Sequence, residues 1–172
     1  MREYCQMSVG FVRTFWKVLG TPVQVMALGA LILMGVACSP KVLPTGEVLY
    51  VSSTNNGIIT LTSTGYYKGT AQRAIQEAER RAFEALLFRG IPGSQVASAM
   101  LGTDEQGIKS KNAKYFNEFF ENRRCRNFIT ATEQLSSERE AGYMKATIRV
   151  SINYKALRKD LEDQGLKRGF GL

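Results

Sequence analysis

The sequence predicts an α+β fold, an antiparallel sheet of about four strands with helices packed on one face. Three observations predict it. Alanine recurs every fourth residue at Ala74, Ala78 and Ala82 within an otherwise polar stretch. Met144, Ala146, Ile148, Val150 and Ile152 alternate with Lys145, Thr147, Arg149 and Ser151, the period of a half-buried strand. Two β-branched runs flank an Asn-Gly pair, the signature of a hairpin.

In chain order, "EVLYVSS" (47–53) is rich in β-branched and aromatic residues and reads as a strand. "TNNG" supplies a turn, and "IITLTSTG" (58–65) a second strand with threonine at alternate positions on one face. The alanine stripe follows, widened by Ile75, Ala85 and Leu86. Thr70 is placed to cap its start, and Gly90 with Pro92 to stop its end. Small residues let a helix backbone approach a sheet closely. Glu77 and Arg81 form an i,i+4 pair on the outer face. "FRGIPGSQVASAMLGTDEQGIKS" is a glycine-rich connection with room for one short helix. "NAKYFNEFFE" places Tyr115, Phe116, Phe119 and Phe120 at helical spacing, which suits core packing or, alternatively, an exposed aromatic patch for a partner. "RNFITATEQL" reads as a strand, "SSEREAG" as a polar loop and "YMKATIRVSINY" as the last strand. A short helix closes the domain, with Asn153 as cap, Leu157 and Leu161 one turn apart, and Gly165 as stop.

The chain has 172 residues and is 44% hydrophobic, enough for one core and one export segment. Its net charge is +8; without residues 1–37, which carry Arg2, Arg13, Lys17 and Glu3, 20 basic and 14 acidic residues leave +6. The densest basic cluster is Arg123, Arg124 and Arg126. No groove-reading or RNA-binding signature surrounds it, so nucleic acid is not an expected partner. Histidine is absent, which excludes Ser-His-Asp and Cys-His catalysis and histidine-ligated metals. The cysteines, Cys5, Cys38 and Cys125, fit no metal-site or redox spacing. Arginines beside Cys125 in "RRCRN" are able to lower a thiol pKa, but with no base nearby a structural thiol is the expectation. The carboxylates of "IQEAERR" and "KDLEDQ" read as solvated helix faces. No enzyme activity, cofactor or metal is expected.

Before Cys38 the chain has the parts of an export signal: basic Arg2, Arg13 and Lys17, then a run from Val23 to Val36 that is apolar apart from Gln24. The uninterrupted run from Val25 to Cys38 is shorter than the roughly 20 residues a membrane span needs. "MGVAC" resembles the lipobox of bacterial lipoproteins, in the looser form of Bacteroidetes-type bacteria, with Gly35 where leucine is usual. The resemblance implies a signal peptide over 1–37, a diacylglycerol and acyl lipid on Cys38, and a tether over 38–46 containing Pro40 and Pro44. An uncleaved anchor and an ordinary cleaved signal are the alternatives. In that family Ser39, rather than aspartate, implies an outer-membrane address. The absence of an acidic cluster after the cysteine implies a periplasm-facing protein.

Residues 47–172 then form a single domain. The strand ending at Gly65, the helix with Ala74, Ala78 and Ala82, and the closing "ATIRVSINYKALRKDLEDQGL" are similar to small-lipoprotein and flagellar-assembly domains, over about residues 57–165. The resemblance implies an envelope scaffold that binds another envelope protein, within a machine for secretion or motility. A sheet edge or the region of Phe119, Phe120, Arg123, Arg124 and Arg126 is the expected contact surface. The alternative is a lipoprotein that binds peptidoglycan or another anionic glycan through those arginines with Lys109, Lys111 and Lys114.

Overall fold

The computed structural model describes residues 46–167. The signal segment, Cys5, Cys38 and residues 38–45 of the tether lie outside the described residues. The described part is α+β: four antiparallel strands, β1 (Val48–Ser53), β2 (Ile58–Tyr67), β3 (Ile129–Glu140) and β4 (Tyr143–Asn153), in the order β1-β2-β4-β3. The helices are α1 (Ala71–Glu84), α2 (Glu105–Lys111), α3 (Ala113–Phe116) and α4 (Tyr154–Asp163). Among the described residues, no helix is long and apolar enough to cross a membrane.

The core forms where alternation in the central strands meets the alanine stripe. Ile59 and Leu61 of β2 and Ala146, Ile148, Val150 and Ile152 of β4 are fully buried, as are Ala74, Ala78, Ala82 and Phe83 of α1. Thr70 caps α1, its hydroxyl accepting from the Arg73 N–H at 3.4 Å. The alanines are needed because α1 rests on the backbone of β2 at Gly65. A Cβ there would stand 2.3 Å from both the Ala74 carbonyl oxygen and the Ala78 nitrogen. Two residues earlier, buried Ser63 donates its hydroxyl to the Ala78 carbonyl at 2.7 Å, so this buried hydroxyl is satisfied.

Helix α1 runs on into a wider π-turn, Ala85–Arg89, and ends at Gly90 with φ 78°. The carbonyls left over at this end are taken up by the following connection: Met100 and Leu101 N–H donate to Leu86 and Leu87 at 3.1 and 2.9 Å. The short helix expected in that connection is α2. Asn153 caps α4, accepting from the Ala156 N–H at 3.0 Å, and Leu157 and Leu161 are fully buried.

The expected polar loop at "SSEREAG" is a correction. Strand β3 continues through Glu140, pairing Ser137 with Ala146 and Arg139 with Met144, and the reversal is the two residues Ala141 and Gly142, both at positive φ. The strand is polar because no helix covers it: from Thr130 to Glu140 every residue is exposed. Two bulges, at Ile129/Ala131 and Gln134/Ser136, interrupt its register.

Candidate functional site

The aromatic residues of α3 and its π-turn (Asn117–Glu121) pack inward. Phe119 is fully buried and meets four rings: Phe83 edge-on at 5.5 Å, Phe120 edge-on at 5.0 Å, Tyr115 stacked at 5.6 Å and Phe128 stacked at 6.0 Å. Its place is the core, so it offers no surface to a partner. Phe120 is half-buried, its ring between the Arg80 guanidinium at 5.2 Å and the Lys109 ammonium at 5.0 Å.

The basic cluster is largely paired within the fold. Arg123, held at φ 58° where an L side chain is disfavoured, reaches Glu79 at 2.8 Å, and Arg126 lies 3.7 Å from the same carboxylate. Glu79 is 3% exposed, which corrects the expectation of a solvated helix face. Arg124 spans both oxygens of Asp160 at 2.9 and 3.2 Å and lies over the Tyr115 ring at 4.7 Å. Burial opposes its charge, but the hydrogen bond and charge of Asp160, with Tyr115 and Glu118, together outweigh that and raise the guanidinium pKa. The Tyr115 hydroxyl donates to Asp160 at 2.7 Å; burial, then that hydrogen bond, push its pKa far up. Lys109 bridges Glu84 at 2.9 Å and Glu105 at 2.6 Å. These links tie α1, α2, α3, the turn at Arg124–Phe128 and α4 into one layer.

Glu84 carries a pH prediction. Burial alone would raise its pKa, but hydrogen bonds and charge from Lys109 and Arg80 hold it below its ordinary 4.5. A depressed folded-state pKa gives stability that is present above the unfolded value and lost as pH falls through the folded one. Glu84→Gln is therefore expected to be less stable than the native chain near neutrality, with the gap closing below about pH 4.5. Urea denaturation at several pH values checks this; a gap that does not change with pH contradicts it.

Cys125 is 5% exposed, and burial first, then the nearby Glu79 charge, push its thiol up to about 11. Of the flanking arginines that were able to activate it, Arg123 and Arg126 reach Glu79 and Arg124 reaches Asp160 instead. It is expected to stay unmodified by iodoacetamide in the native chain and to react once urea unfolds it. Rapid native-state modification, read by mass, would contradict its structural role.

Between α1 and the Arg123–Cys125 turn lies an open cleft of about 290 Å³, bordered by Arg73, Arg80 and Arg123 but also by Glu77, Glu79 and Glu121. Its mixed charge favours no single ligand. Among the described residues no group of His, Cys, Asp and Glu is placed to hold a metal ion.

The sheet offers further accessible features. Its helix-free face carries hydroxyl pairs, Thr60 with Ser151 at 3.0 Å and Thr64 with Thr147 at 3.1 Å. Across β3 and β4 it carries Arg149 with Glu133 at 2.7 Å and Lys145 with Glu138 and Glu140 at 3.2 and 3.0 Å. The outer edge of β3 pairs with no other strand among the described residues. No protein-family model matches the chain, nor does any curated protein or solved structure.

Glu79 and Asp160 are the structurally important groups that sequence reasoning passed over. Glu79 adjoins Ala78 in the buried stripe, and three arginines occur within four positions at 123–126; the two facts together were the available signal.

Proposed function

We propose that the chain is a lipid-anchored envelope protein, attached through Cys38 to the outer membrane and facing the periplasm. Its domain acts as a non-enzymatic scaffold that takes another envelope protein, in a secretion or motility assembly. The observation that carries this reading is the "MGVAC" box, with Glu47, where the domain begins, only nine residues after Cys38. The acyl chains hold the domain at the membrane and raise its effective concentration toward partners there. With Phe119 in the core, the partner surface is the free edge of β3, whose outward N–H and C=O groups offer a template for an added strand. The charges and bulges of β3 guard that edge against indiscriminate pairing.

A glycan-binding role draws less support. Of the cations it would use, Arg123 and Arg126 pair with Glu79, Arg124 with Asp160, and Lys109 with Glu84 and Glu105. Lys111 and Lys114, beside an open cleft of about 430 Å³, remain for it.

Photo-crosslinkers placed at Thr132 and Ser137 on β3 test the scaffold reading in cells. One discrete crosslinked protein, lost when Gln134→Pro disrupts the edge, is expected. Recovery of lipid alone, or sedimentation of the chain with cell-wall sacculi at high salt and no protein adduct, would overturn it.

A further inference from the structure

We infer that β1 and the helix-free face beside it rest on the headgroup zone of the membrane that holds the acyl chains. This inference depends on anchoring through Cys38.

The exposed large apolar side chains among the described residues are Leu49 (51%), Val51 (44%), Tyr67 (42%) and Leu135 (41%). Isolated exposed leucines are ordinary, but two of these four lie two residues apart on β1. Leu49 pairs with Thr62, whose neighbours Leu61 and Ser63 are buried against the helices, so Leu49 projects from the helix-free face. Val51 occupies the β1 bulge between Tyr50 and Ser52. Around them the same face presents the hydroxyls of Thr60, Thr62 and Thr64. Apolar tips among hydroxyls suit the boundary between headgroups and acyl chains.

The position of β1 in the chain names the occupant. The backbone joins the sheet at Glu47, whose carbonyl accepts from the Thr64 N–H at 2.9 Å. At Gly46 a Cβ would stand 1.9 Å from the Thr64 oxygen, so the backbone already lies tight against β2 there. The eight residues from Cys38 to Gly46 extend at most about 29 Å. Strand β1 is thus the first element of the domain to follow the acylated residue in the chain. Strand β3 lies three strand spacings away, roughly 14 Å, at the opposite edge. A weak contact suffices, because the tether makes it intramolecular. The arrangement leaves the β3 edge directed to a partner.

Single cysteines at Leu49→Cys, Val51→Cys and Leu135→Cys, labelled with an environment-sensitive fluorophore, test this in the full-length acylated chain. It is reconstituted in phosphatidylethanolamine–phosphatidylglycerol vesicles carrying doxyl lipid, and Cys125 escapes labelling by burial. Leu135 is the matched control, similarly exposed on the far edge. The expected result is a blue shift and doxyl quenching at 49 and 51, with neither at 135. Water-like emission at all three positions overturns the inference while leaving the anchor intact. A shift at 49 and 51 without lipid quenching, growing with protein concentration, overturns it in favour of a second copy paired at β1. Intact mass reports the acyl group separately: a chain without it sinks the anchor reading and this inference together.

Discussion

Phe119→Ala is expected to lower folding stability by about 3–5 kcal/mol, the range for truncating a buried aromatic. The site is severe for two reasons. Phe119 has no exposed surface, and it contacts rings from α1, from its own helix and from the turn before β3. Collapse around the cavity would have to move three elements at once. Domains of this size have stabilities of about 5–15 kcal/mol, so much of the total would be lost. Phe120→Ala provides the contrast. Its ring is half-buried and loses the ring contacts with Phe119 and Phe116 together with the Arg80 and Lys109 cation–π contacts of about 0.5–1 kcal/mol each, with no fully buried cavity left behind. Urea denaturation followed by circular dichroism should rank Phe119→Ala well below Phe120→Ala. Equal losses would contradict Phe119 as the centre of the aromatic layer.

Gly65→Ala should also destabilise, against the usual sign. At a compatible site, Gly→Ala gains about 0.4–1 kcal/mol by restricting the unfolded chain. Here φ is not the obstacle; space is. The new methyl would meet helix backbone at 2.3 Å on two atoms, and backbone cannot rotate away as a side chain does. Either α1 lifts off β2, opening gaps beside Ala74 and Ala78 and stretching the Ser63 hydrogen bond, or the strand bends. Overpacking of this kind costs about 1–3 kcal/mol and here should reach the top of that range. Gly142→Ala is the control: nothing lies within 4 Å of its added Cβ, so its cost comes from φ 85° alone. A stabilised Gly65→Ala would mean that α1 does not sit on the β2 backbone.

What the sequence makes legible follows from what each element buries. Alternation in β4 and the alanine period in α1 are direct consequences of one buried face each, and both stand out. The capping residues Thr70 and Asn153 are legible because their hydrogen bonds are local. The second half of β3 is hidden because it buries neither face and therefore carries no period; its strand character comes wholly from pairing with β4. The π-turns at Ala85–Arg89 and Asn117–Glu121 leave no mark, since their side chains keep near-helical spacing. Arg123, Arg124 and Arg126 resemble a surface patch because their carboxylate partners lie 44 and 36 positions away in the chain for the two closest pairs. Only the fold brings Glu79 and Asp160 to them. The anchor is the reverse case: local sequence chemistry alone suggests it.

Mass spectrometry of the membrane fraction, comparing the native chain with Cys38→Ala, tests the central claim most directly. A mature chain beginning at Cys38 and bearing acyl groups, absent from the variant, is the predicted result. A chain that retains residues 1–37 with Cys38 unmodified would contradict it. The domain from Glu47 onward would then be carried on an uncleaved segment rather than on a lipid.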